Sequence, residues 1–275
     1  MTEKTEDLFS FLCGLAVKAG DSIMEIYGRD FGWDLKSDES PVTAADRLAH
    51  GIISEGLRDF SVDGGPLPVL SEEGRDVPFG ERRSWPRYWL VDPLDGTKEF
   101  ISRNGEFTVN IALVDGEYPM LGLVYVPVGR ILYYGGAGYG SFSCPAGEFF
   151  KSGLTAAARL PLNLRRNPDV LVAAGSRSHR SGAFDDWVAA EAEARGCSGV
   201  EVITAGSSLK FCLAAEGRVD VFPRFGPTME WDTGAAQAVA EGAGLSCCDL
   251  NGKRLRYNKR SLLNDGFIVS STGRG

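Results

Sequence analysis

Histidine is nearly missing from this 275-residue chain, which has only His50 and His179. Six cysteines are present (Cys13, Cys144, Cys197, Cys212, Cys247, Cys248), but no two are spaced as Cys-x-x-Cys. So few soft ligands at such spacing argue against a zinc site, and scattered thiols are most simply the reduced thiols of a cytosolic protein. Basic clusters are lacking too. With 29 Lys and Arg against 37 Asp and Glu the formal charge is −8, which disfavours a grip on a nucleic-acid polymer or an anionic membrane. Long apolar runs are also absent. The stretch from Leu8 to Val17 is broken by Ser10 and Gly14 and is too short to span a bilayer, and the opening Met-Thr-Glu-Lys-Thr-Glu-Asp is too acidic for a signal peptide. The expectation is a cytoplasmic protein with no transmembrane segment; peripheral association with the inner membrane stays open.

What is present is a globular composition, 43% hydrophobic and 24% charged, with 35 glycines for turns. Leu8, Leu12, Leu15, Ala19, Ile23 and Ile26 recur at helical spacing, giving a first helix over about 6–28 that Gly28 and Gly32 end. Ser40-Pro-Val-Thr-Ala-Ala-Asp46 opens a second, burying Leu48, Ile52, Ile53 and Leu57. Strands follow at Pro68–Ser71, Tyr88–Val91, Phe107–Val114, Leu121–Val126 and Arg130–Tyr134. The last three are joined by turns at Asp115-Gly116 and Pro127-Val-Gly129, as in an antiparallel sheet. Residues 135–147 read as turns with one more short strand. Beyond residues 148–168, which lack periodicity, strands at Val170–Ala174, Val200–Ile203 and Arg218–Pro223 alternate with helices at Ala183–Ala194, Ser207–Ala215 and after Asp232. The expected division is an α+β subdomain over 1–150 and an α/β subdomain over 151–275.

The chemistry concentrates where strands end in carboxylates. Trp89-Leu-Val-Asp-Pro-Leu-Asp-Gly-Thr97 carries an apolar strand into Asp92 and Asp95 through a turn stiffened by Pro93 and opened by Gly96. With the Leu94 carbonyl between them, the two carboxylates form an all-oxygen set that suits a hard cation such as Mg²⁺, and Thr97 adds a hydroxyl and an N–H. Asp-Pro and Asp-Gly are equally ordinary turn chemistry; company is what favours a site. Val69-Leu-Ser71 likewise runs into Glu72-Glu73, where a merely exposed charge fits Glu73 better than Glu72. Thr43 and Asp46, three apart, can be a capping box, or Asp46 can point at the cleft and polarise Thr97. Asp232 can be a helix N-cap, a metal ligand or both, the small residues after it leaving the helix end open to an anion. Lys210, Arg224, Ser207 and His179 can form an anion-recognition patch, or the basic ones can simply be solvated.

These motifs, together with Asn104-Gly-Glu-Phe-Thr-Val-Asn-Ile-Ala-Leu113, Gly206-Ser-Ser-Leu-Lys-Phe-Cys212 and Arg224-Phe-Gly-Pro-Thr228, resemble the inositol-monophosphatase superfamily of Mg²⁺-dependent phosphatases. Within it, the likeness is to the CysQ-type 3′(2′),5′-bisphosphate nucleotidases, and it runs from the first helix to Leu263-Asn264. The resemblance implies a layered αβαβα sandwich with the site between its halves. It implies two or three Mg²⁺ ions on Glu72, Asp92, Asp95, Asp232 and the Leu94 carbonyl. Glu72 would also count among the catalytic groups with Asp46 and Thr97, which would activate the attacking water. Substrate would meet Asp95, Gly96, Thr97 and Asp232 at the metal end, and Ser207, Lys210, Arg224 and His179 at the nucleotide end. The implied reaction is hydrolysis of the 3′-phosphate of adenosine 3′,5′-bisphosphate, with the phosphosulfate analogue as a further substrate, in the service of sulfur assimilation. An inositol- or sugar-phosphate phosphatase is the alternative. A silent nucleotide sensor would need a missing ligand, and none is missing. Asp232-Thr-Gly-Ala-Ala departs from the Ala-Ala-Gly of many relatives, which bears on the geometry of that helix end. A homodimer is left open.

Overall fold

The computed structural model describes residues 3–29, 41–62, 64–162, 164, 167–176 and 181–271. Two helices come first, α1 (Glu3–Tyr27) and α2 (Pro41–Asp59). There follow β1 (Val69–Ser71), the short α3 (Phe79–Arg82), β2 (Arg87–Asp95), the short α4 (Thr97–Ile101), β3 (Thr108–Asp115), β4 (Tyr118–Val126), β5 (Ile131–Gly136), β6 (Gly140–Pro145), α5 (Ala146–Ser152) and β7 (Ala158–Leu160). The chain continues with β8 (Val170–Ser176), α6 (Gly182–Ala194), β9 (Gly199–Ala205), α7 (Leu209–Ala215), β10 (Val221–Arg224), β11 (Thr228–Met229), α8 (Glu230–Gly242), β12 (Leu245–Asp249), β13 (Leu263–Asn264) and β14 (Phe267–Ser271).

β1 to β7 lie side by side in chain order in one sheet, antiparallel except for the β1–β2 pair. A second sheet runs β12-β14-β10-β8-β9, with β8 parallel to β9 and β10. Alternate residues of β2 enter different cores: Trp89 and Val91 pack with α1 and α2, whereas Tyr88 and Leu90 face α7, α8 and the second sheet. Both faces are covered, so the strand reads as one continuous apolar run. Removing the fully buried Trp89 side chain costs about 3–5 kcal/mol. α8 presses directly on β4, where a Cβ on Gly122 would come within 2.1 Å of the Ala235 carbonyl oxygen; only glycine admits that approach. α6 closes the far side of the second sheet with Phe184 and Val188. The layers are therefore α1/α2, first sheet, α7/α8, second sheet, α6: the αβαβα sandwich.

A division at residue 150 falls inside α5, and β7 still pairs with β6, so the change of sheet comes between β7 and β8. The sequence reading missed β12 and β14, which complete the second sheet, and β13, which pairs with β11 in a separate two-stranded sheet. All six cysteines are free thiols. No helix among the described residues is long and apolar enough to cross a membrane.

Candidate active site

β2 pairs regularly with β3 as far as Asp92 opposite Asn110, and the next pair is Asp95 opposite Thr108. Pro93 and Leu94 are thus squeezed out of the ladder as a bulge, a device that re-aims side chains at the end of a strand. The Leu94 N–H donates to Asp92 Oδ1 at 3.1 Å, and the Leu94 side chain is buried with α1 and α2, which ties the turn down from below. Gly96 takes φ 100° and ψ 51°, a left-handed geometry that suits glycine. A Cβ there would stand 3.3 Å from both Phe107 Cα and Ser207 Cβ, so the carboxylate turn and the Ser207 turn touch. Thr97 follows, exposed, as the first residue of α4.

Parallel pairing of β1 with β2 puts Ser71 opposite Val91, and Glu72 continues the register, its N–H donating to the Val91 carbonyl at 3.2 Å. The Glu72 carboxyl is then close enough to Asp92 for its charge to help raise that residue. The exposures of the two glutamates reverse the expectation: Glu72 is exposed and Glu73 half-buried. Burial nonetheless leads the raised pKa of Glu72.

Two capping expectations need correction. α2 begins at Pro41, the proline in its favoured first-turn place. Thr43 is therefore already inside the helix and Asp46 lies a turn further on, so they form no capping box. Asp46 is 7% exposed, and its Oδ1 has no hydrogen-bond partner among the described residues. Asp232 is not the N-cap of α8. Met229 holds that position, and Asp232, three residues on, accepts its N–H at 2.9 Å. The carboxylate is thereby aimed back at the helix entrance rather than spent beside it.

The electrostatics show these acids sharing one volume. Burial first, then Glu73 and Glu72, pushes Asp46 up to about 8. Burial and then Asp232 push Asp95 to about 7, against the pull of Lys210. Burial, and after it Glu72, raises Asp232 to about 6. Asp92, 1% exposed, is also raised, by burial and then by Asp95, Glu72, Asp232 and Asp46. No three Asp, Glu, His or Cys side chains among the described residues are drawn together tightly enough to grip a metal as they stand. The donor set of carboxylates and one main-chain carbonyl, with Asp92 buried, fits a hard divalent ion.

A cleft of about 230 Å³ joins this acidic end to a basic one, and Asp95, Gly96, Thr97, Lys210, Arg224 and Asp232 all line it. Ser207 lines it too, with φ 45° and its Oγ donating to the Glu106 carbonyl at 2.6 Å. α7 starts only at Leu209, so Ser207 precedes the helix it was expected to begin. Lys210 is 5% exposed; its Nζ donates to the Ala205 carbonyl at 3.0 Å and the Ser207 carbonyl at 2.7 Å and sits 5.4 Å over the Phe222 ring. Burial lowers it to about 8. Arg224 donates to the carbonyls of Gly226 and Pro227, each at 3.3 Å. His179 lies outside the described residues.

The sequence reading gave no role to Glu106, Thr108, Asn110 or Ser208. Thr108 and Asn110 are buried polar residues in a strand whose other buried residues are apolar, which is the available signal, since such groups need partners. Their partner, Ser208, is a hundred residues away.

The model of the inositol monophosphatase family matches residues 4–274. A 3′(2′),5′-bisphosphate nucleotidase CysQ of Salmonella typhimurium is 46% identical over 263 residues, 94% of this chain and 98% of that protein. The crystal structure of CysQ from Bacteroides thetaiotaomicron, described as a bacterial member of the inositol monophosphatase family, matches at 42% identity and a TM-score of 0.83, over 94% of this chain and 95% of that one. Inositol monophosphatase-II of Staphylococcus aureus MSSA476 shares the fold at 19% identity and a TM-score of 0.72, covering 97% and 89% of the two chains.

Proposed function

This chain belongs to the inositol monophosphatase family, and we propose that it is a Mg²⁺-dependent 3′(2′),5′-bisphosphate nucleotidase that converts adenosine 3′,5′-bisphosphate to AMP and phosphate. The observation that carries this reading is the cleft itself, which holds a cluster of metal-type carboxylates at one end and Lys210 with Arg224 at the other. A substrate with two phosphates on one ribose can occupy both ends. The 46% identity to a bisphosphate nucleotidase over nearly the whole of both chains supports the same substrate class.

Glu72, Asp92, Asp95, Asp232 and the Leu94 carbonyl are the groups that would hold two or three Mg²⁺ ions, which would offset phosphate charge and make a bound water acidic. Asp46, whose Oδ1 is unpartnered, takes the proton of the attacking water in its ionised form, and because burial raises it to about 8 that form grows as pH climbs through neutrality. Thr97, at the cleft wall, orients that water through its hydroxyl. Lys210, Arg224 and Ser207, with His179, meet the 5′-phosphate, so the first half of the chain carries most of the metal end and the second half reads the nucleotide. The phosphosulfate analogue differs only at that distal group and is a second substrate on this reading, which places the enzyme in sulfur assimilation.

Phosphate release from a panel of adenosine 3′,5′-bisphosphate, AMP and inositol 1-phosphate tests the proposal. The expected result is Mg²⁺-dependent, EDTA-sensitive release from the bisphosphate well above the others. Faster release from inositol 1-phosphate would overturn the nucleotidase assignment, and release unaffected by EDTA would overturn the metal assignment.

A further inference from the structure

The turn that carries Lys210 follows β9 of the second sheet, yet it is fastened to the first. Gly206 N donates to Glu106 Oε2 at 2.8 Å and Ser207 Oγ to the Glu106 carbonyl at 2.6 Å. Ser208 makes the deepest attachment. Its N–H donates to Asp95 Oδ2 at 2.6 Å. Its hydroxyl, on a residue 2% exposed, donates to Asn110 Oδ1 at 2.8 Å and lies 2.9 Å from Thr108 Oγ1. Because Asn110 Oδ1 can only accept, the Ser208 proton points there, and the Thr108 hydroxyl donates to Ser208. Thr108 and Asn110 are the β3 residues opposite Asp95 and Asp92. One serine therefore grips both sides of the carboxylate bulge while standing two residues before Lys210, whose Nζ is held by the carbonyls of the same turn.

We propose that Ser208 is a specificity-determining positioning residue: its hydroxyl, seated between Thr108 and Asn110, fixes the Lys210-bearing turn against β3 and so sets the span between the acidic end of the cleft and the cation that meets a second phosphate. The proposal rests on the nucleotidase reading above. Its chemical content is a comparison. Adenosine 3′,5′-bisphosphate must reach both ends of the cleft at once, whereas adenosine 3′-monophosphate has the same scissile group and nothing for Lys210 to meet. Loosening the turn therefore penalises the first substrate more than the second.

The test measures kcat and KM on these two nucleotides, at saturating Mg²⁺, for the wild type, Ser208→Ala, Thr108→Val and Thr108→Ser. Ser208→Ala is expected to lower the ratio of kcat/KM on the bisphosphate to that on the monophosphate by about threefold to tenfold, the size of one lost hydrogen bond, and to do so mainly through KM. Thr108→Val, nearly isosteric but without a hydroxyl, is expected to move the ratio the same way, and Thr108→Ser, which keeps the donor, to hold it near the wild-type value. An unchanged ratio in Ser208→Ala, or equal losses on both substrates, overturns the proposal. If Ser208→Ala fails to fold, the contrast between Thr108→Val and Thr108→Ser decides, because both keep Ser208 in place. A wild type indifferent to the 5′-phosphate would defeat the nucleotidase reading itself, and this inference with it.

Discussion

Glu72 and Asp92 leave two paired strands side by side, the Glu72 N–H bonded to the Val91 carbonyl at 3.2 Å, and the charge of Glu72 helps to raise Asp92. Two ionised carboxylates so placed repel one another. On the proposed reading, a metal ion and a proton would be alternative ways of neutralising the same cluster.

The stability of the metal-free protein should consequently depend on pH in an unusual direction. Asp46, Asp95 and Asp232 are raised by burial to about 8, 7 and 6, well above the roughly 3.9 of an unfolded aspartate. The folded state thus binds more protons than the unfolded one across that interval. Stability is fully present below the unfolded value and is lost as pH climbs through the folded values. His50, lowered by burial, acts in the opposite sense, and only below its unfolded value of roughly 6.5. In EDTA, the melting temperature should fall steadily from pH 5.5 to 8.5, and saturating Mg²⁺ should flatten the curve. A flat or rising profile in EDTA would show that the acids do not share one volume.

Asp95→Asn and Asp232→Asn separate charge from scaffold. An amide oxygen can still accept the N–H of Ser208 or of Met229, which the carboxylates accept at 2.6 and 2.9 Å. Folding should survive, and melting in EDTA at pH 8 should match or exceed the wild type because one repelling charge has gone. Mg²⁺-dependent phosphate release should drop by at least about 10²-fold, the scale of a lost electrostatic contact to the reacting group. Turnover retained at saturating Mg²⁺ would remove these residues from the metal site.

Thr97 and Asp46 are expected to act as one unit on one water. Their helices, α2 and α4, are in contact, and Asp46 has no capping duty to perform. Groups that serve a single event lose activity non-additively. Thr97→Ala, Asp46→Asn and the double variant should therefore show similar residual rates. Multiplying losses would break the shared-water model, and a less stable Asp46→Asn with near-normal turnover would return Asp46 to a structural role.

Much of this was legible in the chain because the signals were local. β2 announces itself as an apolar run closed by Asp92-Pro-Leu-Asp95, and α1 by apolar residues at helical spacing. Non-local geometry was not legible. Where α2 begins turned on Pro41 entering the helix, which moved Asp46 from a capping position to one more than a turn inside α2. Asp232 read as an N-cap because the two-residue strand β11 ahead of α8 exists only through pairing with β13, far along the chain. Glu106, Thr108 and Asn110 acquire meaning only once the turn after β9 folds onto them.

Substrate choice gives the last expectation. On the proposed reading the acidic end would serve any phosphate monoester, so selectivity would come from Lys210 and Arg224. A charge-assisted hydrogen bond to phosphate contributes on the order of 1.5–3 kcal/mol, roughly tenfold to hundredfold. Lys210→Ala and Arg224→Ala should lower kcat/KM for adenosine 3′,5′-bisphosphate by about that much while adenosine 3′-monophosphate loses far less. Truncating Lys210 also leaves the Ala205 and Ser207 carbonyls without their donor, so an independent readout is needed, and the depressed pKa supplies one. Lys210 titrates at about 8 in the free protein because of burial; its charge is present below that pH and lost above it, whereas an arginine stays charged throughout. The kcat/KM for the bisphosphate in the wild type should therefore fall above about pH 8 through a rising KM. The monophosphate should lack that component, and Lys210→Ala should abolish it. A descending limb that persists in Lys210→Ala, or equal losses on both nucleotides, would assign Lys210 to the scaffold rather than to the second phosphate.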